Sequence, residues 1–327
     1  MPSFPTRRLR RLRRTPALRR AFAETRIVPA RLVLPAFVKQ GATGPEPVGS
    51  MPGVEQHDLD SIVALARRAH AAGLGGLLLF GIPADKDAIG SSGWDPEGPV
   101  PSAIRAIKDA LGDELVLWAD VCQCEYTDHG HCGPLDERGE VVNDLAVEAY
   151  VRDALAYAAA GADVVAPSGM MDGQVAAIRQ ALDEAGHEQV AQIAYAVKYA
   201  SAFYGPFREA AESTMSSGDR GSHQMDPANR REARLELVLD AAEGADALMV
   251  KPALPYLDVL ADARDRFDEP LVAYHVSGEY AMVHAAAERG WLDGPAAMRE
   301  AVLSIHRAGA DVVLTYAALD LAEEASS

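Results

Sequence analysis

The chain predicts an α/β fold, a (β/α)8 TIM barrel with an extended N-terminal arm, on three observations. Eight runs rich in Val, Ile and Leu alternate with helix-like segments, as parallel strands buried on both faces do. One αβ joint recurs along the chain, and the reactive residue types collect where the apolar runs end. No Gly-x-Gly-x-x-Gly follows the first run, which argues against a doubly wound nucleotide-binding sheet.

The eight runs are residues 32–38, 75–81, 115–121, 163–168, 192–199, 247–251, 271–276 and 311–316, most separated by enough chain for a crossover helix. The joint appears as "AAAGADVVAPS" (158–168), "AAEGADALMVK" (241–251) and "HRAGADVVLTY" (306–316), with a weaker copy, "HAAGLGGLLLF", at 70–80. In each, glycine stops a helix in the left-handed conformation and the chain passes into an apolar strand. Residues 31–327 are therefore expected to form one barrel domain, preceded by an arm at 1–30.

Composition narrows the class. With 327 residues and 49% hydrophobic content the chain can bury a large core. Three cysteines and no N-terminal apolar stretch of signal-peptide type point to a reducing, cytoplasmic setting without a disulfide framework. Apolar runs such as 74–82 are too short to span a membrane. Eight arginines and no acid lie in residues 1–20, so removing them from the net charge of −17 leaves −25 on the rest. An acidic body repels nucleic acid but can receive the basic segment "RRLRRLRRTPALRR" of a neighbouring copy, so docking between subunits is the preferred reading of the arm over RNA binding.

Chemistry falls at the strand ends. The third run ends in Asp120, the fourth in Pro167 and Ser168; the fifth carries Lys198, the sixth ends in Lys251, the seventh runs into Ser277, and the eighth ends in Thr315 and Tyr316. Lysine is rarely buried, yet Lys198 sits in "IAYAVKYASAF" and Lys251 in "ALMVKPALPY". Burial and a second nearby cation both lower a lysine pKa, leaving a neutral amine that attacks carbonyls to form a Schiff base. A ketone or aldehyde substrate is implied.

Between the fifth and sixth runs, Gly, Ser and Asp dominate 216–222, as in a loop that closes over a site. "DPANRRE" then predicts a helix start with Asp226 as N-cap and Pro227 in the first turn. Arg208 and Arg220 flank this stretch, and a guanidinium suits the two-pronged capture of a carboxylate.

All three cysteines lie in "DVCQCEYTDHGHCG", residues 120–133. Cys122, Cys124 and Cys132 can ligate zinc, either in a closed structural site completed by His129 or His131 or in a catalytic site with one open position. Spacing alone leaves both open.

With these residues assembled, the chain resembles the porphobilinogen synthase (δ-aminolevulinic acid dehydratase) family, in its zinc-dependent bacterial type. The resemblance spans nearly the whole chain, through "RRTPALRR", "DVCQCEYTDHGHCG", "APSGMMDGQ", "KYASAFYGPFREA", "GDRGSHQMDPANRREA", "MVKPALPYLD", "YHVSGEYAM" and "GADVVLTYAALDLA". It implies a cytoplasmic lyase of haem and other tetrapyrrole biosynthesis that condenses two 5-aminolevulinate molecules. Lys251 and Lys198 would each hold one substrate as a Schiff base, with Asp120 a third catalytic residue. Arg208 and Arg220 would bind one carboxylate, Ser277 and Tyr316 the other, and Ser168, Tyr204, Phe207 and Gln224 would also contact substrate. Cys122, Cys124 and Cys132 match the family's zinc ligands, and Glu236 in "NRREARLE" matches its allosteric Mg2+ ligand. A homo-octamer embraced by the arms is implied, with no nucleic acid or membrane partner. The chain departs from the pattern at Gly169 and Gln174, where Asp and Arg are usual, and at His223, usually Tyr. Ser222 stands where animal members place a cysteine for a second zinc.

Overall fold

The computed structural model describes residues 3–326. Eight parallel strands, β1 (Leu32–Lys39), β2 (Gly76–Ile82), β3 (Leu117–Val121), β4 (Val164–Pro167), β5 (Ala191–Lys198), β6 (Ala247–Lys251), β7 (Leu271–His275) and β8 (Val312–Thr315), pair in chain order. β8 then pairs with β1 and closes the (β/α)8 barrel that the apolar runs predict. Each strand lies within two residues of its run. Buried residues fill almost every strand position, because helices cover the outside and side chains fill the inside.

The recurring Gly-Ala-Asp joint does more than stop a helix. Gly161, Gly244 and Gly309 adopt φ of 104°, 101° and 129°, a conformation that penalises any side chain. The aspartate after each then reaches sideways to the preceding strand. Asp163 accepts the Leu117 backbone N–H at 2.8 Å, Asp246 that of Gln192 at 2.7 Å, and Asp311 that of Leu271 at 2.9 Å. The three copies thus clamp β3 to β4, β5 to β6 and β7 to β8 at the N-terminal end of the barrel. Lys108 joins the first clamp at 2.8 Å and Arg264 the last at 3.1 Å. In the weaker copy Gly75 replaces the aspartate, since a Cβ there would lie 2.5 Å from the Ala30 carbonyl oxygen.

Two features lie outside the barrel proper. Glu46–Pro47 and Glu55–His57 form a short hairpin, and Phe37 and Gln56 are in parallel register, extending the sheet beside β1. The described part of the arm holds a 3-10 turn (Leu9–Arg13) and a short helix (Pro16–Ala21), neither with a buried residue. Among the described residues, no helix is long and apolar enough to cross a membrane.

The helix expected to start at Asp226 begins instead at Arg231 and runs to Ala242. Asp226 accepts the Ala228 N–H on its side chain at 2.8 Å and the Asn229 N–H on its carbonyl at 2.9 Å, which closes a tight turn. The Asn229 carbonyl is then taken by the Tyr199 hydroxyl at 2.9 Å. The same Asp-Pro cue that opens helices here builds a turn.

Replacing Asp163 with alanine removes the acceptor of the buried Leu117 N–H. Denaturant unfolding is expected to show a loss of about 1–3 kcal/mol, and an unchanged midpoint would show that the clamp contributes no stability.

Candidate active site

β5 and β6 pair so that Lys198 and Lys251 are register partners at the C-terminal rim. Both are nearly closed off, 4% and 5% exposed. The Lys251 ammonium lies among aromatic faces, 4.4 Å from the Tyr274 ring centroid, 5.0 Å from Tyr195, 5.3 Å from Tyr204 and 5.4 Å from Phe207. Burial, and next the charge of Lys198, push its pKa down to about 7. Near neutral pH about half of this amine is therefore an unprotonated nucleophile.

Polar contacts link Lys198 to β3 through Ser168. Lys198 Nζ donates to the Ser168 carbonyl at 2.5 Å, and the Ser168 hydroxyl donates to Asp120 Oδ2 at 2.8 Å. Burial pushes the Asp120 carboxyl up, while the two lysines pull it back toward the ionised form. Tyr195 lies under both lysines, 5.7 Å from Lys198 Nζ. Strand periodicity would put residues 195 and 198 on opposite faces, but the register shifts between Ala194 and Val197 and brings both inward.

The carboxylate-binding candidates arrive from elsewhere. Tyr204 and Phe207 come from the segment after β5, where the helix Gly205–Ala210 also carries Arg208. Arg220 donates to the Gly130 carbonyl at 3.0 Å, and burial, followed by the charge of Arg220, lowers the Arg208 guanidinium. Arg208 Nε, Arg220 Nε, Gln224 Nε2, the Tyr204 hydroxyl and Asp120 Oδ1 are all buried without a protein partner. Buried polar atoms left unsatisfied in this way are what a polar ligand would satisfy. Ser277 accepts the Phe207 N–H at 3.0 Å and donates to the Phe203 carbonyl at 3.3 Å, tying that segment to β7. The Tyr316 hydroxyl lies 3.1 Å from that of Tyr274.

The three cysteines are buried, unpaired by disulfide, and converge with all sulfurs within 4.8 Å of one another. Tetrahedral zinc at a Zn–S distance of about 2.3 Å holds sulfurs roughly 3.8 Å apart, so the trio fits with a small contraction. Neither histidine completes the set. His131 Nε2 is 2.9 Å from the Ser217 carbonyl, and His129 Nε2 is 3.2 Å from that of Ala88. As bare thiols the trio resists ionisation: the Cys122 contact favours the Cys132 thiolate, but the Cys124 contact and burial push Cys132 up to about 11. A cation would have to displace those protons.

Glu125, between Cys124 and Tyr126, escapes sequence reasoning, because an acid in a loop ordinarily faces water. Here it is buried, with Oε1 unpartnered, and desolvation, then the charge of Asp120, lifts its pKa to about 7. His223 is pushed down to about 3 by burial, then by Lys198 and Arg220, and stays neutral. Gln174 serves the turn after β4, accepting the Met171 N–H at 3.1 Å. Glu236 stands apart from the lysines, half-buried on the helix Arg231–Ala242, in a cavity of about 440 Å3 that Glu140, Asp172 and Glu232 also line.

Fold and site define a class: a barrel enzyme whose reactive amines lie together at the carboxyl ends of adjacent strands. The family model described as delta-aminolevulinic acid dehydratase matches residues 6–324. The chain belongs to the delta-aminolevulinic acid dehydratase family and is a lyase of the porphobilinogen synthase type. A relative of that name from Mycobacterium tuberculosis is 56% identical over 324 residues, covering 98% of each chain. One from Streptomyces coelicolor is 53% identical over 322 residues, covering 98% of this chain and 97% of its own. The crystal structure of the Toxoplasma gondii enzyme in complex with the reaction product porphobilinogen superposes with a TM-score of 0.94 at 44% identity, over 97% of this chain and 91% of that one.

The two engaged histidines make a clear expectation for metal analysis. After dialysis against zinc, His131→Ala is expected to keep the zinc content of the unsubstituted protein, whereas Cys132→Ser is expected to lose most of it. Loss in His131→Ala would restore the closed Cys3His reading.

Proposed function

We propose that the chain condenses two molecules of 5-aminolevulinate to porphobilinogen with loss of two waters, in cytoplasmic tetrapyrrole and haem biosynthesis. The observation that carries the reading is the pair of buried, register-matched lysines, one with its pKa near 7. The lysine amines add to the two substrate ketones, each expelling one water as an imine forms. Lys251 takes the propionate-side molecule and Lys198 the acetate-side one. Asp120 exchanges protons as carbinolamines dehydrate, a role supported by its hydrogen bond to Ser168, whose carbonyl accepts from Lys198.

The remaining residues orient and enclose. Arg208 and Arg220 bind one substrate carboxylate, and Ser277 and Tyr316 the other, while Tyr204, Phe207 and Gln224 close the walls. Supporting this are the unpartnered donors on Arg208, Arg220, Gln224 and Tyr204. Water is excluded by the 213–222 segment, whose Ser216 N–H donates to the His129 carbonyl at 3.1 Å. Zinc is the cation we assign to Cys122, Cys124 and Cys132, which would hold it and where it would supply Lewis acidity toward the acetate-side substrate.

We assign an allosteric Mg2+ to Glu236, supported by the acidic cavity around it. The 1–30 arm docks on the acidic body of a neighbour in a homo-octamer. In favour of this, Leu9, Leu12 and Phe22 are 69%, 52% and 58% exposed on a segment rich in arginine. Neither nucleic acid nor membrane is a partner in this reading.

Borohydride added during incubation with 5-aminolevulinate is expected to leave a reduced adduct on Lys251, found by peptide mass spectrometry. Lys251→Met is expected to lose porphobilinogen formation by about four orders of magnitude, and chelation to abolish it until zinc is restored. No adduct under turnover, or full activity after chelation, would contradict the assignment.

A further inference from the structure

The cysteine loop is held from behind by one face of the helix Asn143–Ala160. Tyr150, Asp153 and Tyr157, spaced i, i+3 and i+7, lie on that face and are 0% exposed. Each makes one hydrogen bond to the loop. The Tyr150 hydroxyl donates to the Cys132 carbonyl at 2.5 Å, Gln123 Nε2 donates to Asp153 Oδ2 at 2.5 Å, and the Tyr157 and Tyr126 hydroxyls are 3.0 Å apart. The contacts fall on Cys132 itself, on Gln123 between Cys122 and Cys124, and on Tyr126 just beyond Cys124, so they grip the loop at each thiol.

Packing alone does not call for such a face. Three leucines would cover the loop without burying a carboxylate, among the side chains least often found fully buried, whose Oδ1 finds no partner here. Glycines in two other segments make the room. A Cβ at Gly90 would overlap the Gln123 side chain, one at Gly93 would lie 2.6 Å from Asp153 Oδ1, and one at Gly169 would overlap the Tyr150 hydroxyl. Gly169 is the position where the sequence departs from the aspartate its resemblance leads one to expect. The side chain missing there is the space that Tyr150 uses to reach Cys132.

We propose that Tyr150, Asp153 and Tyr157 are positioning residues that hold Cys122, Cys124 and Cys132 converged before a cation binds, an inference that rests on the metal reading of the thiols. A loop already ordered spends less binding free energy on ordering itself, so the template raises metal affinity without touching the ion.

The test is zinc affinity of the metal-stripped full-length protein, measured by competition with a chromophoric chelator. Tyr150→Phe, which removes one hydroxyl, is expected to weaken zinc binding about tenfold, and Asp153→Leu by about 10- to 100-fold. Asp153→Asn keeps an acceptor for the Gln123 amide and is expected to stay within about threefold of the parent. If the parent binds zinc and Cys124→Ser abolishes it, yet Tyr150→Phe and Asp153→Leu bind as tightly as the parent, the template is overturned and the metal reading stands. If the parent binds no zinc, or Cys124→Ser binds as well as the parent, the metal reading falls and the template with it. Should Asp153→Leu fail to fold, Tyr150→Phe alone decides, and a second readout accompanies it. In the metal-free protein its thiols are expected to react with a small aromatic disulfide about tenfold faster than the parent's, and equal rates would overturn the template.

Discussion

Parallel pairing of β5 with β6 sets Lys198 directly beside Lys251 at a barrel end where neither reaches water, and the rest of the mouth follows from that juxtaposition. Two ammonium ions so placed repel each other and both lose hydration. Lys251, walled by Tyr274, Tyr195, Tyr204 and Phe207, is pushed down to about 7. Lys198 instead keeps a polar partner in the Ser168 carbonyl, and Ser168 connects it to Asp120. In the proposed function these become an amine that adds to substrate and a carboxyl that exchanges protons, both set by strand register rather than by loops. The clamps at the opposite end of the barrel act on the same register, since Asp246 joins β5 to β6. Stability and reactivity meet in one pair of strands.

The cysteine loop is the second fixed point, and it is held on several sides. The helix Asn143–Ala160 backs it, Asp87 accepts the Asp128 N–H at 3.0 Å from one flank, and Ser216 and Arg220 reach the His129 and Gly130 carbonyls from above. Arg220 is therefore bound to the loop that carries the thiols while its buried Nε has no protein partner. In the proposed function, closure over substrate and order in the thiol loop share those contacts. In this reading the covering segment and the cysteine loop respond together when either is occupied.

Much of this was legible in the sequence because barrel physics repeats. Buried parallel strands read as continuous apolar runs, so all eight strands could be placed within two residues. A lysine inside such a run announces itself by contrast, which is why Lys198 and Lys251 stood out. What escaped depended on local geometry that residue types do not encode. Tyr195 shares the lysines' face only because β5 changes register between Ala194 and Val197. Glu125 looks like any loop acid until the loop folds inward and buries it. Asp226 carries the signature of a helix cap, yet its side chain closes a turn five residues before the helix begins. The Gly-Ala-Asp repeat was visible as punctuation, while the sideways hydrogen bond of its aspartate needs a neighbouring strand that only the closed sheet supplies.

The lowering of the Lys251 pKa to about 7, by burial and then by the charge of Lys198, underlies the proposed chemistry. Its most direct test is the titration of Lys251 in ligand-free protein carrying isotopically labelled lysine, with Lys251→Arg used to assign the resonance. A midpoint near 7 is expected, moving upward in Lys198→Met as the neighbouring cation is removed. A midpoint close to 10.5, the ordinary lysine value, would contradict it.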